Sequence, residues 1–205
     1  MPKLGMAPIR RKQLIEAAVA VIHEDGFARA TVARIAKRAG VSSGIVHHYF
    51  ADKDDLLFNT MRTLLADLRA DAVARLSAAA SPLERIRAVI DAAFGEGQFD
   101  EGVFSAWLAL YGNARHSRRL QRILMLYHRR LEANLLFDLR KLMPVSAAHR
   151  TAEGIAAMID GLWLRYALTG RPEGPEEPRA LTRDYFASAL ERSSPLPKAG
   201  LRVAS

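Results

Sequence analysis

The sequence contains no cysteine, few aromatic residues (7%) and no long uninterrupted apolar run. The lack of cysteine excludes a disulfide scaffold, a thiol nucleophile and a zinc site built on thiolates. The longest apolar stretches, such as residues 14–22 with Glu16 among them, are too short to span a bilayer. The basic N-terminal segment is not followed by the apolar core of a signal peptide. We therefore expect a cytoplasmic protein without a membrane segment.

The chain is long enough to bury a substantial core, with 205 residues of which 50% are hydrophobic and 25% are charged. Ala and Leu together outnumber the β-branched residues Val, Ile and Thr more than twofold. This ratio favours an all-α fold, because Ala and Leu are strong helix formers. The net charge of +8 indicates a polyanionic partner, with nucleic acid as the first choice and an anionic membrane surface as the second.

The first eighty residues are predicted to form three short helices followed by a long one. Apolar residues recur at three- and four-residue steps from Leu14 to Ile22, which predicts a helix over residues 8–25. The expected stop and capping residues of these helices are Gly26, Thr31, Gly40, Ser42 and Asp52. Residues 31–50 then have the pattern of a helix–turn–helix, in which two short helices meet at a glycine turn.

A helix–turn–helix presents the N-terminal part of its second helix to base edges in the major groove. Small or hydrogen-bonding residues fill that helix here: Ser42, Ser43, Gly44, His47, His48 and Tyr49. Thr31 and Lys53 begin the flanking helices, where each is placed to contact a phosphate. Residues 1–48 carry eight basic and three acidic side chains, so we favour a DNA-binding domain over a plain helical hairpin.

Two patterns typical of other chemistry do not fit their context. Residues 40–44 match the G-x-S-x-G nucleophile elbow, but that elbow follows a buried strand, and residues 35–39 have a helical pattern. His47 and His48 point about 100° apart on a helix, and no further ligand pattern accompanies them. The sequence also lacks a credible catalytic triad and a phosphate loop. We therefore predict no enzymatic activity, no metal site and no cofactor.

Beyond residue 80 the sequence predicts five longer helices, over about 82–96, 103–113, 117–142, 146–168 and 178–192. The first of them starts at a capping box, Ser81 to Glu84, with proline at its first helical position. Glycine and proline predict a linker over residues 170–178, and a flexible tail is expected over residues 193–205.

Aromatic residues are concentrated in the second half of the chain. Trp107 and Tyr111 share one helical face, and Trp163 follows Asp160 by about one turn. Two tryptophans with Glu96 and Asp160 would suit a quaternary ammonium ion, which aromatic boxes with acidic support recognise. An ordinary core would produce the same spacing, so the residues by themselves leave both interpretations open.

Motifs of the first half resemble the N-terminal domain of TetR-type repressors: Ile35-Ala36, Ala39-Gly40-Val41-Ser42, Tyr49-Phe50 and Lys53-Asp54-Asp55-Leu56-Leu57. Further motifs narrow the resemblance to the choline-responsive repressors of glycine betaine synthesis genes: Pro8-Ile9-Arg10-Arg11, Ser43-Gly44-Ile45, Ala106-Trp107-Leu108-Ala109 and Ile159-Asp160-Gly161-Leu162-Trp163. The similarity extends from Met1 to about Leu190, nearly the whole chain.

The resemblance implies an all-helical homodimer of about nine helices per chain. Residues 8–68 would form the DNA-binding domain, and residues 69–192 a ligand-binding and dimerisation domain in which the last two helices pair with their twins. The dimer is expected to present two recognition helices about one DNA turn apart, and so to bind a near-palindromic operator. The implied effector is choline or a related quaternary ammonium ion.

The resemblance also implies five ligand-binding positions: Phe94, Glu96, Trp107, Asp160 and Trp163. We add Tyr111, because it shares a helical face with Trp107. Two departures from the family pattern bear on function. His47 stands where a small hydroxyl residue is expected, so a different operator sequence would follow. Residues 97–105 agree poorly apart from Gln98, which leaves a different small-molecule effector as the alternative.

Overall fold

The computed structural model describes residues 6–169 and 174–193, and the regular elements found there are all helical. Nine α-helices follow one another within these residues: α1 (Met6–Asp25), α2 (Val32–Arg38), α3 (Ser43–Tyr49), α4 (Lys53–Ala78), α5 (Pro82–Ala93), α6 (Glu101–Ala114), α7 (Arg118–Leu139), α8 (Val145–Thr169) and α9 (Glu176–Ser193). The predicted all-α fold is confirmed. No helix in the described part of the chain is long and apolar enough to cross a membrane.

Local sequence signals define where the N-terminal helices begin and end. Thr31, Asp52 and Ser81 precede α2, α4 and α5, and each side-chain oxygen accepts a hydrogen bond from the backbone N–H three residues on. Gly26 and Gly40 follow α1 and α2 with φ angles of 76° and 65°, in the left-handed region that favours glycine. The caps satisfy N–H groups that have no acceptor within the helix, and the two glycines turn the chain.

The boundary between α5 and α6 differs from the prediction. α5 ends at Ala93, and a short 3-10 turn over Glu96–Gln98 replaces its expected last turn. α6 begins at Glu101, two residues earlier than expected, because the side chain of Asp100 caps it. The segment that agreed poorly with the family pattern therefore consists of this turn and the first part of α6.

The start of α9 also differs from the prediction. The helix begins at Glu176 and contains Pro178 in its first turn, where a missing N–H removes no helical hydrogen bond. Ser193 closes this helix, and the rest of the predicted tail over residues 193–205 lies outside the described residues. The same holds for residues 170–173 of the predicted linker.

One apolar cluster connects the N-terminal helices with the rest of the described chain, from Leu14 in α1 to Phe186 in α9. The long helix α4 is common to both parts. Leu57 and Met61 in its first half are fully buried among the N-terminal helices, and α4 also packs against α5, α6 and α7. The predicted domain boundary at residue 68 thus falls inside a continuous helix, not in a flexible linker.

The first turn of α6 packs directly against α1. A methyl group placed on Gly102 would lie 2.6 Å from Val19 Cγ1 and 2.9 Å from Asp100 Oδ1, so a side chain at this position would force its neighbours to move. At the same interface His23 Nε2 lies 3.2 Å from Glu101 Oε2, and His23 Nδ1 lies 3.1 Å from Ser105 Oγ. The helix that carries Trp107 is therefore held against the first helix of the chain.

We expect Gly102→Ala to lower the free energy of unfolding by about 1–3 kcal/mol, because the added methyl group overpacks a stiff valine. Gly112→Ala is the matched control in the same helix, since a methyl group there meets no atom within 4 Å. The control is expected to be neutral or stabilising by up to about 1 kcal/mol. Urea unfolding of both variants measures the difference, and equal stabilities would contradict the packing argument.

Candidate functional site

The helix α3 exposes nearly all of its side chains. Val46 is its only fully buried residue, and it anchors the helix to the apolar cluster. Five of the predicted base-contacting residues are exposed: Ser42, Ser43, Gly44, His47 and His48. The sixth, Tyr49, is half-buried. The Ser42 hydroxyl makes no capping hydrogen bond to α3, unlike the caps of α2 and α4. The helix therefore presents a largely polar exposed face, and the major groove of DNA is wide enough to admit an α-helix.

Thr31 and Lys53, the two residues predicted to contact phosphates, differ in exposure and in their hydrogen bonds within the protein. Thr31 is exposed, and its Oγ1 accepts from Arg34 N at 3.3 Å, so the hydroxyl both caps α2 and lies at the surface. Lys53 Nζ donates to the backbone oxygen of Ala28 at 2.9 Å and lies 4.3 Å from the Phe27 ring centroid. Burial lowers the pKa of Lys53. Lys53 therefore also holds the turn between α1 and α2, a role that the sequence pattern did not reveal.

A polar network connects the start of α4 with α1 and α7. Asp55 Oδ2 accepts from Ala51 N at 2.9 Å, and Asp55 Oδ1 lies 2.7 Å from Arg119 Nη1. Asn59 donates to Asp55 Oδ1 at 2.7 Å and accepts from Arg11 Nη1 at 2.9 Å. Because Asp55 is only 13% exposed, these donors replace much of the water around its charge. The network links the chain just after α3 to the helix α7 of the C-terminal half.

A narrow aromatic cavity lies between α4, α5, α6, α7 and α8, with only about 10 Å³ open to the centre of a water molecule. The residues that line it are Leu68, Ala93, Gln98, Trp107, Tyr111, Tyr127, Asp160 and Trp163. The Trp107 ring centroid lies 5.8 Å from that of Tyr111, 5.1 Å from that of Tyr127 and 6.2 Å from that of Trp163. Because the rings lie so close together, the space left between them has room for only about one water molecule.

Asp160 is the carboxylate in this cavity, and it has two neighbours. Tyr111 Oη donates to Asp160 Oδ1 at 3.2 Å, and His128 Nε2 lies 2.9 Å from Asp160 Oδ2. Burial, and after it the negative charge of Asp160, raises the pKa of Tyr111 and of Tyr127. Both phenols therefore stay neutral, and they surround the carboxylate with polarisable rings.

The two tryptophan nitrogens differ in their hydrogen bonding. Trp163 Nε1 donates to the backbone oxygen of Ala93 at 3.3 Å. Trp107 Nε1 is buried and has no acceptor among the described residues. An unpaired buried donor is costly, so a ligand that brings an acceptor atom to Trp107 would gain a hydrogen bond.

The structure brings four of the predicted ligand-binding residues together at the cavity: Trp107, Tyr111, Asp160 and Trp163. It does not bring Phe94 and Glu96 to the cavity wall. Phe94 is fully buried behind it, with its ring centroid 6.4 Å from that of Phe99. Glu96 is exposed, because the 3-10 turn that it begins directs Gln98 inward in its place.

Sequence reasoning missed four lining residues: Leu68, Ala93, Gln98 and Tyr127. Tyr127 is one of the aromatic residues concentrated in the second half of the chain, and this concentration was the sequence signal that could have identified it. Gln98 was the one matching residue in a poorly matching segment. Leu68 has the ordinary apolar spacing of α4, and nothing local distinguishes it from a core residue.

Comparisons with known proteins give consistent matches over both halves. Residues 14–60 match the family described as bacterial regulatory proteins, tetR family, and residues 82–191 match the family described as BetI-type transcriptional repressor, C-terminal. The HTH-type transcriptional regulator BetI of Rhizobium meliloti (strain 1021) is 49% identical over 190 residues, covering 93% of this chain and 94% of that protein. BetI 1 of Chromohalobacter salexigens is 48% identical over 196 residues, covering 95% and 96%.

A solved structure extends the comparison to the fold. A transcriptional regulator from Saccharomonospora viridis, crystallised in complex with choline, superimposes with a TM-score of 0.77. The match covers 88% of this chain and 96% of that one, at 19% sequence identity. At this identity the likeness shows a common fold.

We expect Arg119→Ala to lower the free energy of unfolding by about 1–2 kcal/mol and to weaken DNA binding. The substitution leaves the largely buried Asp55 without its cation, although the half-exposed guanidinium makes the loss smaller than for a fully buried pair. Arg122→Ala is the control, since Arg122 is exposed on the same helix. Urea unfolding and DNA titration compare the variants, and an Arg119→Ala protein as stable as the control would refute the role of the network.

Proposed function

Since this chain belongs to the TetR family of bacterial transcriptional regulators, with a BetI-type C-terminal half, we propose that it represses glycine betaine synthesis genes in response to choline. Like these relatives, the protein is a transcriptional regulator and not an enzyme. In the proposed mechanism a homodimer binds a near-palindromic operator, and choline bound in the aromatic cavity weakens that binding.

The exposed face of α3 supports the DNA-binding step. Base edges in the major groove are recognised by side chains that donate or accept hydrogen bonds. Ser43 and His47 are exposed and offer such groups without competing partners among the described residues. Thr31 at the start of α2 supports contact with the phosphate backbone, which positions the helix without reading sequence. A twofold-symmetric dimer would place two such helices on successive turns of one DNA face.

The aromatic cavity with one carboxylate is the observation that carries the choline proposal. A quaternary ammonium ion has no N–H to donate, so proteins recognise it by the faces of aromatic rings and by a nearby negative charge. Trp107, Tyr127 and Trp163 supply the rings, and Asp160 supplies the charge. The unpaired Trp107 N–H would donate to the hydroxyl oxygen of choline. Asp160 would repel the carboxylate of glycine betaine, so the cavity favours choline over this zwitterion.

The closed state of the cavity supports a mechanical response. Choline needs more room than one water molecule occupies, so its entry must separate helices that now touch. Leu68 on α4 and Trp107 on α6 belong to the wall. α4 runs without interruption to its cap beside α3, and α6 packs on α1 through Gly102. The change in DNA-binding free energy cannot exceed the difference in choline-binding free energy between the two states, typically about 1–3 kcal/mol.

A bulkier cation is the second candidate effector, and one feature favours it. Phe104 lies 4.2 Å and Phe99 6.2 Å from the Trp163 ring centroid, which adds apolar surface beside the cavity. Rotation of these rings would enlarge the cavity for larger apolar groups. Tetrabutylammonium binding tighter than choline would select this alternative.

We expect Asp160→Asn to weaken choline binding at least tenfold, because the substitution keeps the shape and removes the counter-charge. The neutral isostere 3,3-dimethylbutan-1-ol should bind both proteins alike. Calorimetric titration with choline, glycine betaine and a simple primary amine measures these affinities. Asp67→Asn is the control, since Asp67 is exposed on α4. Unchanged choline affinity in the Asp160 variant would contradict the proposed site.

We expect His47→Ala to change operator specificity and leave the salt dependence of binding unaltered. A lost base contact costs about 1–3 kcal/mol at one base pair, whereas counterion release depends on phosphate contacts. His116→Ala is the control, since His116 is exposed and lies just before α7. Fluorescence anisotropy with the operator and its single-base variants measures the effect, and identical specificity profiles would exclude His47 from base recognition.

A further inference from the structure

His128 lies next to Asp160 but outside the set of residues that line the cavity, and its side chain is 39% exposed. Its Nε2 atom is buried and lies 2.9 Å from Asp160 Oδ2, without the alignment of a hydrogen bond. The other oxygen of the same carboxylate accepts from Tyr111. The two carboxylate oxygens thus have different neighbours: a phenol, and an imidazole that can carry a positive charge.

We propose that His128 is a positioning residue that sets the charge of Asp160 toward the ligand. When the imidazole is neutral, the carboxylate presents its full negative charge to a cation in the cavity. When the imidazole is protonated, the two form an internal ion pair, and the cavity presents almost no net charge. This inference rests on the proposed choline function and adds a determinant of affinity and specificity to it.

His128 contacts Asp160 and lies beside the Tyr127 ring, with 5.1 Å between the ring centroids, and Asp160 is the carboxylate among the residues of the cavity wall. The helices packed against α7 contribute Leu68 from α4, Ala93 from α5, Tyr111 from α6 and Asp160 from α8 to the wall. The two tyrosines at the cavity are neutral, since burial and the Asp160 charge raise their pKa. No second acid or base on the wall takes over the charge of Asp160.

The sign of the effect follows from charge. A bound cation beside Asp160 disfavours an imidazolium on the other side of the same carboxylate. Cation binding therefore favours the neutral imidazole and releases a proton. Choline affinity is then highest where the free protein has a neutral His128, and it falls as the pH is lowered. One linked proton changes affinity by at most tenfold per pH unit.

The experiment is a calorimetric titration of the full chain with choline between about pH 5.5 and pH 8, the range in which imidazoles titrate. We expect wild-type affinity to fall about tenfold or more across this range, and His128→Gln affinity to change less than about twofold. His149→Gln is the matched control, because His149 is exposed on α8 and its Nε2 lies 3.1 Å from Arg140 Nη2, just after the end of α7. It should follow the wild-type profile.

Two further readouts keep the test independent of folding. The neutral isostere 3,3-dimethylbutan-1-ol should bind wild-type protein with little pH dependence, which separates charge from cavity shape. Repeating the wild-type choline titration near pH 6.5 in buffers of different ionisation enthalpy should show release of a fraction of one proton per site. This second measurement needs no variant. His128→Asn serves as a second substitution if His128→Gln unfolds.

The outcomes distinguish the inference from the function on which it rests. Choline binding by wild-type protein with no pH dependence and no proton release overturns the role of His128 and leaves the choline site intact. A His128→Gln profile identical to wild type does the same. Failure of choline to bind at any pH overturns the proposed function itself, whatever His128 does.

Discussion

The continuity of α4 is the constraint on which the rest of the structure depends. Its 26 residues run from the end of the helix–turn–helix to the middle of the C-terminal half without a break. Asp52 and Asp55 tie its first turn to the backbone beside α3, and Leu68 lines the cavity in its second half. Because α4 is continuous, the proposed opening of the cavity would be connected mechanically to the DNA-binding helices.

Besides α4, two further helices connect the cavity with the N-terminal domain. α6 carries two rings of the cavity and is held to α1 by the close approach at Gly102. α7 carries Tyr127 at the cavity and Arg119 at its start, and Arg119 pairs with Asp55 while its guanidinium lies 4.1 Å from the Phe58 ring centroid. Three helices thus reach from one cavity to the N-terminal domain. Packed interfaces of this kind respond by switching between arrangements more than by gradual deformation.

Charge in the cavity is organised around one carboxylate. A half-buried Asp160 without a partner would be costly, and the hydrogen bond from the Tyr111 hydroxyl reduces that cost. A quaternary ammonium ion offers a full charge without donors, so it complements the carboxylate and the aromatic rings together. In the proposed choline site, a neutral or zwitterionic analogue would therefore gain less than choline.

Much of the fold is a local consequence of sequence. Caps such as Thr31 and Asp52 and stop glycines such as Gly40 act within one helical turn, so the sequence alone determined the helices and the helix–turn–helix. The aromatic spacing also identified Trp107 and Trp163. Only the tertiary structure decided that Glu96 faces water while Gln98 faces the cavity, and that His128 and Leu68 meet residues from other helices. Those contacts depend on how distant segments pack, which no local pattern encodes.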